Sequence, residues 1–260
     1  MVFQDGNVKR NDKRGQQIDI KPKRAQVIGV FSSKGGVGKT TTAVNLGASL
    51  KKRLGSDVLV VDGNFSAPNL GFHLGIANPS ATIHDVLAGN VSIENAVQEC
   101  EEGLHAILGS VAYDESIHLV DLDECLKPLK NKYKVIILDS SPGFGPEVIS
   151  DIKACNRILV VTNPEIPTIA STLRTFRTAE KYKVPIEGVV LNRVAGKDYE
   201  ISASKVREGL SWPLLSVIPE DDKVRESLSE GKPIVFNYPD SDVTKKFRKL
   251  ADRVYEGLSD

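Results

Sequence analysis

The 260-residue chain is poor in the residues that announce disulfide, metal or redox chemistry: it has three cysteines, one methionine, one tryptophan and 6% aromatic residues. Cys100, Cys125 and Cys155 are isolated, odd in number and without a CxxC pair. That pattern fits neither a disulfide framework nor a zinc site, and predicts a reducing, cytoplasmic setting. The longest apolar runs, such as residues 27–31 and 158–161, fall far short of the ~18 residues a helical membrane span needs. The polar N-terminus lacks the apolar stretch of a secretory signal. Net charge is missing too, because 34 Lys and Arg balance 34 Asp and Glu. Attraction to nucleic acid or an anionic membrane would therefore have to come from local patches. What is present, 40% hydrophobic and 26% charged residues, is the composition of a globular protein and excludes bulk disorder.

The neutral total is uneven along the chain. Residues 1–25 carry seven basic side chains against three acids, with almost no apolar periodicity, and read as a flexible basic extension. It is either a solvated tail or a weak contact with DNA or acidic lipid. From residue 26 onward, short β-branched runs at 27–32, 58–62, 135–139, 158–162, 186–192 and 214–218 are apolar on consecutive positions, as strands buried on both faces must be. Between them, the spacing predicts helices over 40–53, 119–130, 166–181, 199–210, 224–229 and 244–255. A capping box at Thr82 to Asp85 predicts a further short one. Alternating β and α segments without internal repeats predict a doubly wound, mostly parallel α/β sheet with helices on both faces. One domain, residues 26–260, absorbs the whole body.

The chemistry concentrates in Ser32-Ser33-Lys34-Gly35-Gly36-Val37-Gly38-Lys39-Thr40-Thr41, where three glycines lie between a buried strand and an amphipathic helix. Glycine lets successive backbone N–H groups turn toward phosphate oxygens, and the following helix N-terminus adds partial positive charge. Lys39 would neutralise β and γ phosphates, and the Thr40 hydroxyl would complete a Mg²⁺ shell that keeps several waters. The strict phosphate-loop pattern begins with glycine, and Ser33 stands there. Lys34 is a second cation in the same turn with no acid nearby in sequence, a conflict that a polyphosphate would resolve.

With that lysine the chain resembles the deviant Walker A ATPases, the P-loop group that contains MinD, ParA and the nucleotide-binding iron-sulfur carriers, whose signature is Lys-Gly-Gly-x-Gly-Lys-Thr. The resemblance spans about residues 26–257 and is closest to archaeal MinD-like proteins. It implies ATP and Mg²⁺ as ligands, a nucleotide-dependent homodimer in which Lys34 reaches toward the partner's nucleotide, and a protein partner that reads switch I and switch II. Asp62 followed by Ala67-Pro68-Asn69-Leu70 is similar to switch I, and Ile137-Leu138-Asp139-Ser140-Ser141-Pro142-Gly143 to the Walker B strand and switch II, with Asp139 holding Mg²⁺ through water. Gly35, Gly36, Val37, Gly38 and Thr41 complete the implied phosphate contacts. Val190-Leu191-Asn192-Arg193 and Ile218-Pro219-Glu220-Asp221 are similar to the segments that flank adenine, which places Asn192, Arg193 and the Pro219 backbone at the base.

Two departures stand out. Active members usually carry Asp-x-Asp in switch I, and the second carboxylate positions the attacking water; here the run is Asp62-Gly63-Asn64. An amide cannot take up a proton as a carboxylate does, so slow, partner-stimulated hydrolysis or an ATP-locked dimeric scaffold is expected, unless Asn64 orients water by hydrogen bonding alone. The last segment places Val243, Phe247, Leu250, Val254 and Leu258 at near-helical spacing among basic residues. One apolar stripe cannot serve the core and a membrane at once, so it predicts either core docking or a peripheral anchor at the inner face of the membrane. An iron-sulfur carrier is disfavoured, because the switch II segment has no cysteine. The four histidines lack metal-ligand spacing and read as surface or helix residues, and Trp212 as packing.

Overall fold

The computed structural model describes residues 8–11, 17–20, 25–112 and 121–258. Within the N-terminal extension, β1 (Val8–Asn11) and β2 (Gln17–Ile20) pair antiparallel, and the remainder of that stretch up to residue 24 lies outside the described residues.

The β-branched runs become strands because both their faces are covered. β3 (Gln26–Phe31) leads into α1 (Lys39–Leu54), β4 (Val58–Gly63) into the short helices α2 (Leu70–His73) and α3 (Ile83–Leu87). β5 (Gln98–Glu99), β6 (His105–Ile107) and α4 (Leu122–Leu126) precede β7 (Val135–Ser140) and α5 (Pro146–Ala154). β8 (Arg157–Thr162), α6 (Ile166–Lys181), β9 (Ile186–Val194), α7 (Ala203–Gly209) and β10 (Leu214–Pro219) follow, and α8 (Asp222–Ser229), α9 (Ile234–Asn237) and α10 (Asp242–Glu256) close the chain. The described strands from β3 onward form one sheet in the order β10-β9-β8-β3-β7-β4-β6-β5, parallel except for the β5–β6 pair. The expected doubly wound α/β sheet is therefore the fold.

Crossovers from the central β3 run outward to both edges, so the loops leaving β3, β7 and β4 converge at the carboxyl ends of three adjacent strands, where ligands of such sheets bind. Register sharpens this: Asp139 on β7 pairs with Val30 of β3 on one side and with Asp62 of β4 on the other.

Two apolar layers hold the sheet. On one face Val44, Leu46 and Leu50 of α1 pack with Phe247, Leu250 and Val254 of α10. On the other, Val148 and Ile152 of α5 pack with Phe176 of α6, against which Trp212 stacks at 4.0 Å, as its packing role predicts. The apolar stripe of α10 is thus docked in the core, and Leu258 packs against the same layer. Among the described residues no helix is long and apolar enough to cross a membrane.

Boundaries differ from expectation where local chemistry intervenes. The helix expected over 119–130 is a short α4, followed by a 3₁₀ turn at Leu129–Asn131 after Pro128, whose missing N–H ends the α-helical ladder; residues 113–120 lie outside the described residues. The helix expected from 199 begins only at Ala203, where the Ser202 hydroxyl accepts from Lys205 N–H. The Thr82 capping box is present with both reciprocal bonds. α5, β5 and β6 are additional elements. His73 and His84 lie on α2 and α3, His105 on β6, and His118 is outside the described residues. Cys100 and Cys155 are buried thiols, and burial together with Glu99 pushes the first up to about 12.

α5 brings an unforeseen group into the core. Asp151 is fully buried, its Oδ2 accepts from Ser141 N–H at 3.0 Å, and its Oδ1 has no partner among the described residues. A Cβ on Gly63 would lie 2.9 Å from that oxygen, so the carboxyl fills the gap between the loops leaving β4 and β7. Burial raises its pKa well above 3.8, against the Ser141 N–H and Lys39, which lower it. A group whose folded pKa lies above its unfolded one favours folding fully below pH 3.8, and that contribution is lost as pH rises toward the folded value. Asp151→Asn keeps the acceptor for Ser141 and removes the titration. In denaturant titrations at pH 5 and pH 8, the stability of wild type relative to the variant should fall as pH rises, and a difference that does not change with pH would refute the raised pKa.

Candidate active site

The phosphate loop spans the turn from β3 to α1. Gly36 and Gly38 hold φ of +78° and +90°, a region that favours glycine. At Gly38 a side chain has no room either, since a Cβ would lie 2.1 Å from Asn192 Nδ2. That amide donates to the Val37 carbonyl at 2.8 Å, so Asn192 of β9 supports the loop directly. Side chains fix the loop's other limb: Ser32 Oγ donates to the Lys34 carbonyl at 2.8 Å, and the Ser33 and Ser171 hydroxyls share a 2.5 Å bond that joins the loop to α6. The crown formed by Lys34, Gly35 and Gly36 is exposed, with nothing within 4 Å of a Cβ placed on either glycine. A row of backbone groups is therefore left open to an incoming anion.

At the foot of the loop Lys39 Nζ donates to Asp139 Oδ1 at 2.7 Å, with both side chains buried, 7% and 0% exposed. Asp139 Oδ2 has no partner among the described residues. Asp62 lies alongside on β4, where its Oδ1 accepts from Asn64 N–H and its Oδ2 from Leu70 N–H, each at 3.1 Å. Its pKa is raised to about 7, first by burial and then by Asp139, while the two N–H groups and Lys39 oppose the rise. Two buried carboxylates face one buried ammonium, and the mismatch favours an added cation. Among the described residues no cluster of three His, Cys, Asp or Glu forms a metal cage. Thr40, buried at the start of α1, with Asp62 and Asp139 suits Mg²⁺, which takes one or two carboxylates and completes its shell with water and phosphate oxygens.

The loop after Asp62 is tied down by its own side chains. Asn64 is buried, and its amide Nδ2 donates to the Ala67 carbonyl at 2.5 Å. A carboxylate has no proton for that bond. Ser141 Oγ, in the loop after β7, lies 3.0 Å from the Gly63 carbonyl and 2.5 Å from Glu147 Oε2, and Ser66 Oγ reaches the other Glu147 oxygen. Gly143 N–H donates to the Ser32 carbonyl at 3.3 Å. Glu147 thus links the two candidate switch segments, a role with no signal in the sequence because both hydroxyl partners arrive through the fold.

The expected base-binding residues also come together. Thr41, Asn192, Arg193, Pro219 and Phe247 line one cleft between the α1 N-terminus and the carboxyl ends of β9 and β10. Arg193 adopts a left-handed φ of 57° and lies 3.9 Å from Glu220. The structure therefore gathers the sequence-predicted residues into one region with three parts: a loop open to phosphates, a carboxylate and hydroxyl foot, and a cleft. Lys34 stands apart from the buried foot, on the outer face.

Comparison with known proteins agrees with this geometry. Residues 28–234 match the CobQ/CobB/MinD/ParA nucleotide binding domain. An uncharacterized ATP-binding protein of Methanocaldococcus jannaschii is 32% identical over 232 residues, 88% of either chain. The cell division ATPase MinD of Pyrococcus furiosus superposes with a TM-score of 0.84 at 35% identity, covering 89% of this chain and 99% of that one. The septum site-determining protein MinD of Pyrococcus horikoshii, solved with Mg-ADP, gives 0.83 at 33% identity, covering 91% and 99%. With the fold, the loop and the carboxylate pair in place, the chain belongs to the CobQ/CobB/MinD/ParA nucleotide-binding family, as a MinD/ParA-type P-loop ATPase.

Proposed function

We propose that the protein is an ATP-dependent dimerisation switch that positions cellular machinery, turns ATP over slowly and acts through a partner that reads its two switch segments. The observation that carries the reading is the pairing of a buried Lys39–Asp139 foot with an exposed Lys34 on the same loop. One cation is placed to serve the protein's own nucleotide and the other faces outward, toward a second copy. Lys34, Lys39, Asn64 and Asp139 form the reacting end. Gly35, Gly36, Val37, Gly38, Lys39, Thr40 and Thr41 hold the phosphates through backbone N–H groups, the two lysines and hydroxyls. Asn192, Arg193 and Pro219 border the base. Thr40, Asp62 and Asp139 would hold Mg²⁺, which would supply positive charge against the charge that develops in phosphoryl transfer.

In this mechanism the chain's own groups position the phosphates and the attacking water. Lys39 leaves or shares Asp139 when phosphate oxygens arrive, and Asp139 and Asp62 would then be available to hold the cation. Asn64 stands where a water-positioning carboxylate is expected, with its amide donor already held by Ala67. That bond commits one of the amide's two N–H donors, and what is left can orient water but cannot take up its proton, which supports the variant reading of the switch as an ATP-locked dimeric scaffold. The body, residues 26–260, works as one domain. The basic extension of residues 1–25 acts as a solvated spacer, in a cytoplasmic protein whose contact with membrane or DNA is weak and peripheral.

Two measurements test the reading. Sizing with ATP and with ADP should show wild type dimeric only with ATP. Lys34→Ala should remain monomeric at the same concentration while still binding ATP, and a persistent dimer would refute the cross-interface role. In single-turnover hydrolysis, Asn64→Asp should be faster than wild type by about tenfold or more, since a regained water-positioning group acts on the chemical step. Equal rates would remove Asn64 as the limiting feature.

A further inference from the structure

The segment after switch I carries an imidazole to which no role has been given. His73 is the last residue of α2, and its Nδ1 lies 3.2 Å from the Asn69 carbonyl. A carbonyl oxygen only accepts, so Nδ1 carries the proton. Its Nε2 lies 3.3 Å from Thr41 Oγ1. Burial lowers the His73 pKa, with the Asn69 bond and Asp139 opposing and Lys39 reinforcing, so the ring is neutral. In a neutral ring protonated at Nδ1, Nε2 accepts, and the Thr41 hydroxyl is the donor. Thr41, Asn45, His73 and Lys232 line one narrow crevice between α1, α2 and the α8–α9 connection.

Thr41 is also the third residue of α1's first turn, where unpaired backbone N–H groups face an incoming phosphate. Its hydroxyl has one proton and two claimants, His73 Nε2 and a phosphate oxygen. From this geometry we propose that His73 is a positioning residue that latches the Thr41 hydroxyl in the nucleotide-free protein and is released when nucleotide takes that proton. The latch rests on the nucleotide reading of the loop and goes beyond it, by tying loop occupancy to switch I. α2 begins at Leu70, whose N–H holds Asp62 Oδ2, so release of His73 at one end of this single turn loosens the support of a carboxylate at the other.

A double-mutant cycle on the full chain, read as Mg-ADP affinity by calorimetry, tests the latch. Removing the competing acceptor should help the phosphate: His73→Leu should bind ADP roughly three- to tenfold more tightly than wild type, the scale of one neutral hydrogen bond. In the Thr41→Val background the same change should alter affinity by less than about twofold, because no hydroxyl proton remains to be shared. An equal effect in both backgrounds, or no tightening in the first, would overturn the latch while leaving the nucleotide reading intact. Failure of wild type to bind ADP would instead overturn the nucleotide reading and the latch with it. Should the variants not fold, the wild-type ring decides: nitrogen-detected NMR of labelled histidine should show His73 protonated at Nδ1 without nucleotide, with its Nε2 signal moving on Mg-ADP addition. An Nε2-protonated ring in the nucleotide-free protein refutes the proposal without any substitution.

Discussion

The buried contact between Lys39 and Asp139 is the constraint around which the rest of the site is arranged. Removing an ammonium and a carboxylate from water costs several kcal/mol per ion, and a neighbouring opposite charge repays this only with good geometry and further hydrogen bonds. Lys39 supplies the geometry, at 2.7 Å, but Asp139 keeps one oxygen unpaired and shares the space with Asp62. The register of three parallel strands leaves no alternative, since Asp62 and Asp139 are direct neighbours across β4 and β7. One ammonium therefore serves two carboxyl groups in a buried pocket. Under the proposed function, a divalent cation with a polyphosphate would correct that imbalance, with Asp62 and Asp139 available to the cation and Lys39 to the phosphates. Ligand affinity would then arise partly from relief of an electrostatic mismatch built into the fold.

Much of this was legible in the sequence, for a physical reason. Strands covered on both faces are apolar at most positions, so β3, β4, β7, β8 and β9 stood out without any alignment, and the edge strand β10 through its Leu, Val and Ile content. The loop between β3 and α1 could be read because three glycines and two lysines in one turn have few structural uses. What stayed hidden depends on contacts between distant segments. Glu147 gains its role only when α5 sets it beside Ser66 and Ser141, and Asp151 only when the same helix turns it toward Gly63. α5 itself was obscured, since Gly143-Phe144-Gly145-Pro146 reads as a loop, although proline suits the first turn of a helix and here begins one.

Asn64 shows how a single substitution is read differently once its neighbours are known. In sequence it is a missing carboxylate in the water-positioning place. In the structure its amide has a positive structural use, donating to Ala67 while its backbone N–H donates to Asp62. The amide thus closes the switch I turn upon itself, and a carboxylate there would face the Ala67 carbonyl oxygen and repel it. The loss of charge and the gain of a turn-closing bond act on the same residue, and both accord with the slow turnover proposed for the switch.

The C-terminal helix presents the opposite case, in which a surface suited to two roles is committed to one. Val243, Phe247, Leu250, Ala251 and Val254 of α10 are all buried against the core. At about 1.5–3 kcal/mol for each large apolar side chain, exposing this stripe would cost on the order of 10 kcal/mol, comparable to the whole stability of a domain. Phe247 also lines the cleft shared by Asn192 and Pro219, so withdrawing the helix would dismantle a wall of the proposed base site. A membrane contact that removed α10 would therefore oppose nucleotide binding, whereas the proposed switch needs nucleotide to engage its partners. Any surface contact made by this helix has to use its outward face, where Lys245, Lys246 and Lys249 border a groove with Val194, Val217 and Pro219. Such a contact would be electrostatic, shallow and weakened by salt; it would leave the core undisturbed and meet the rim of the cleft only at Pro219.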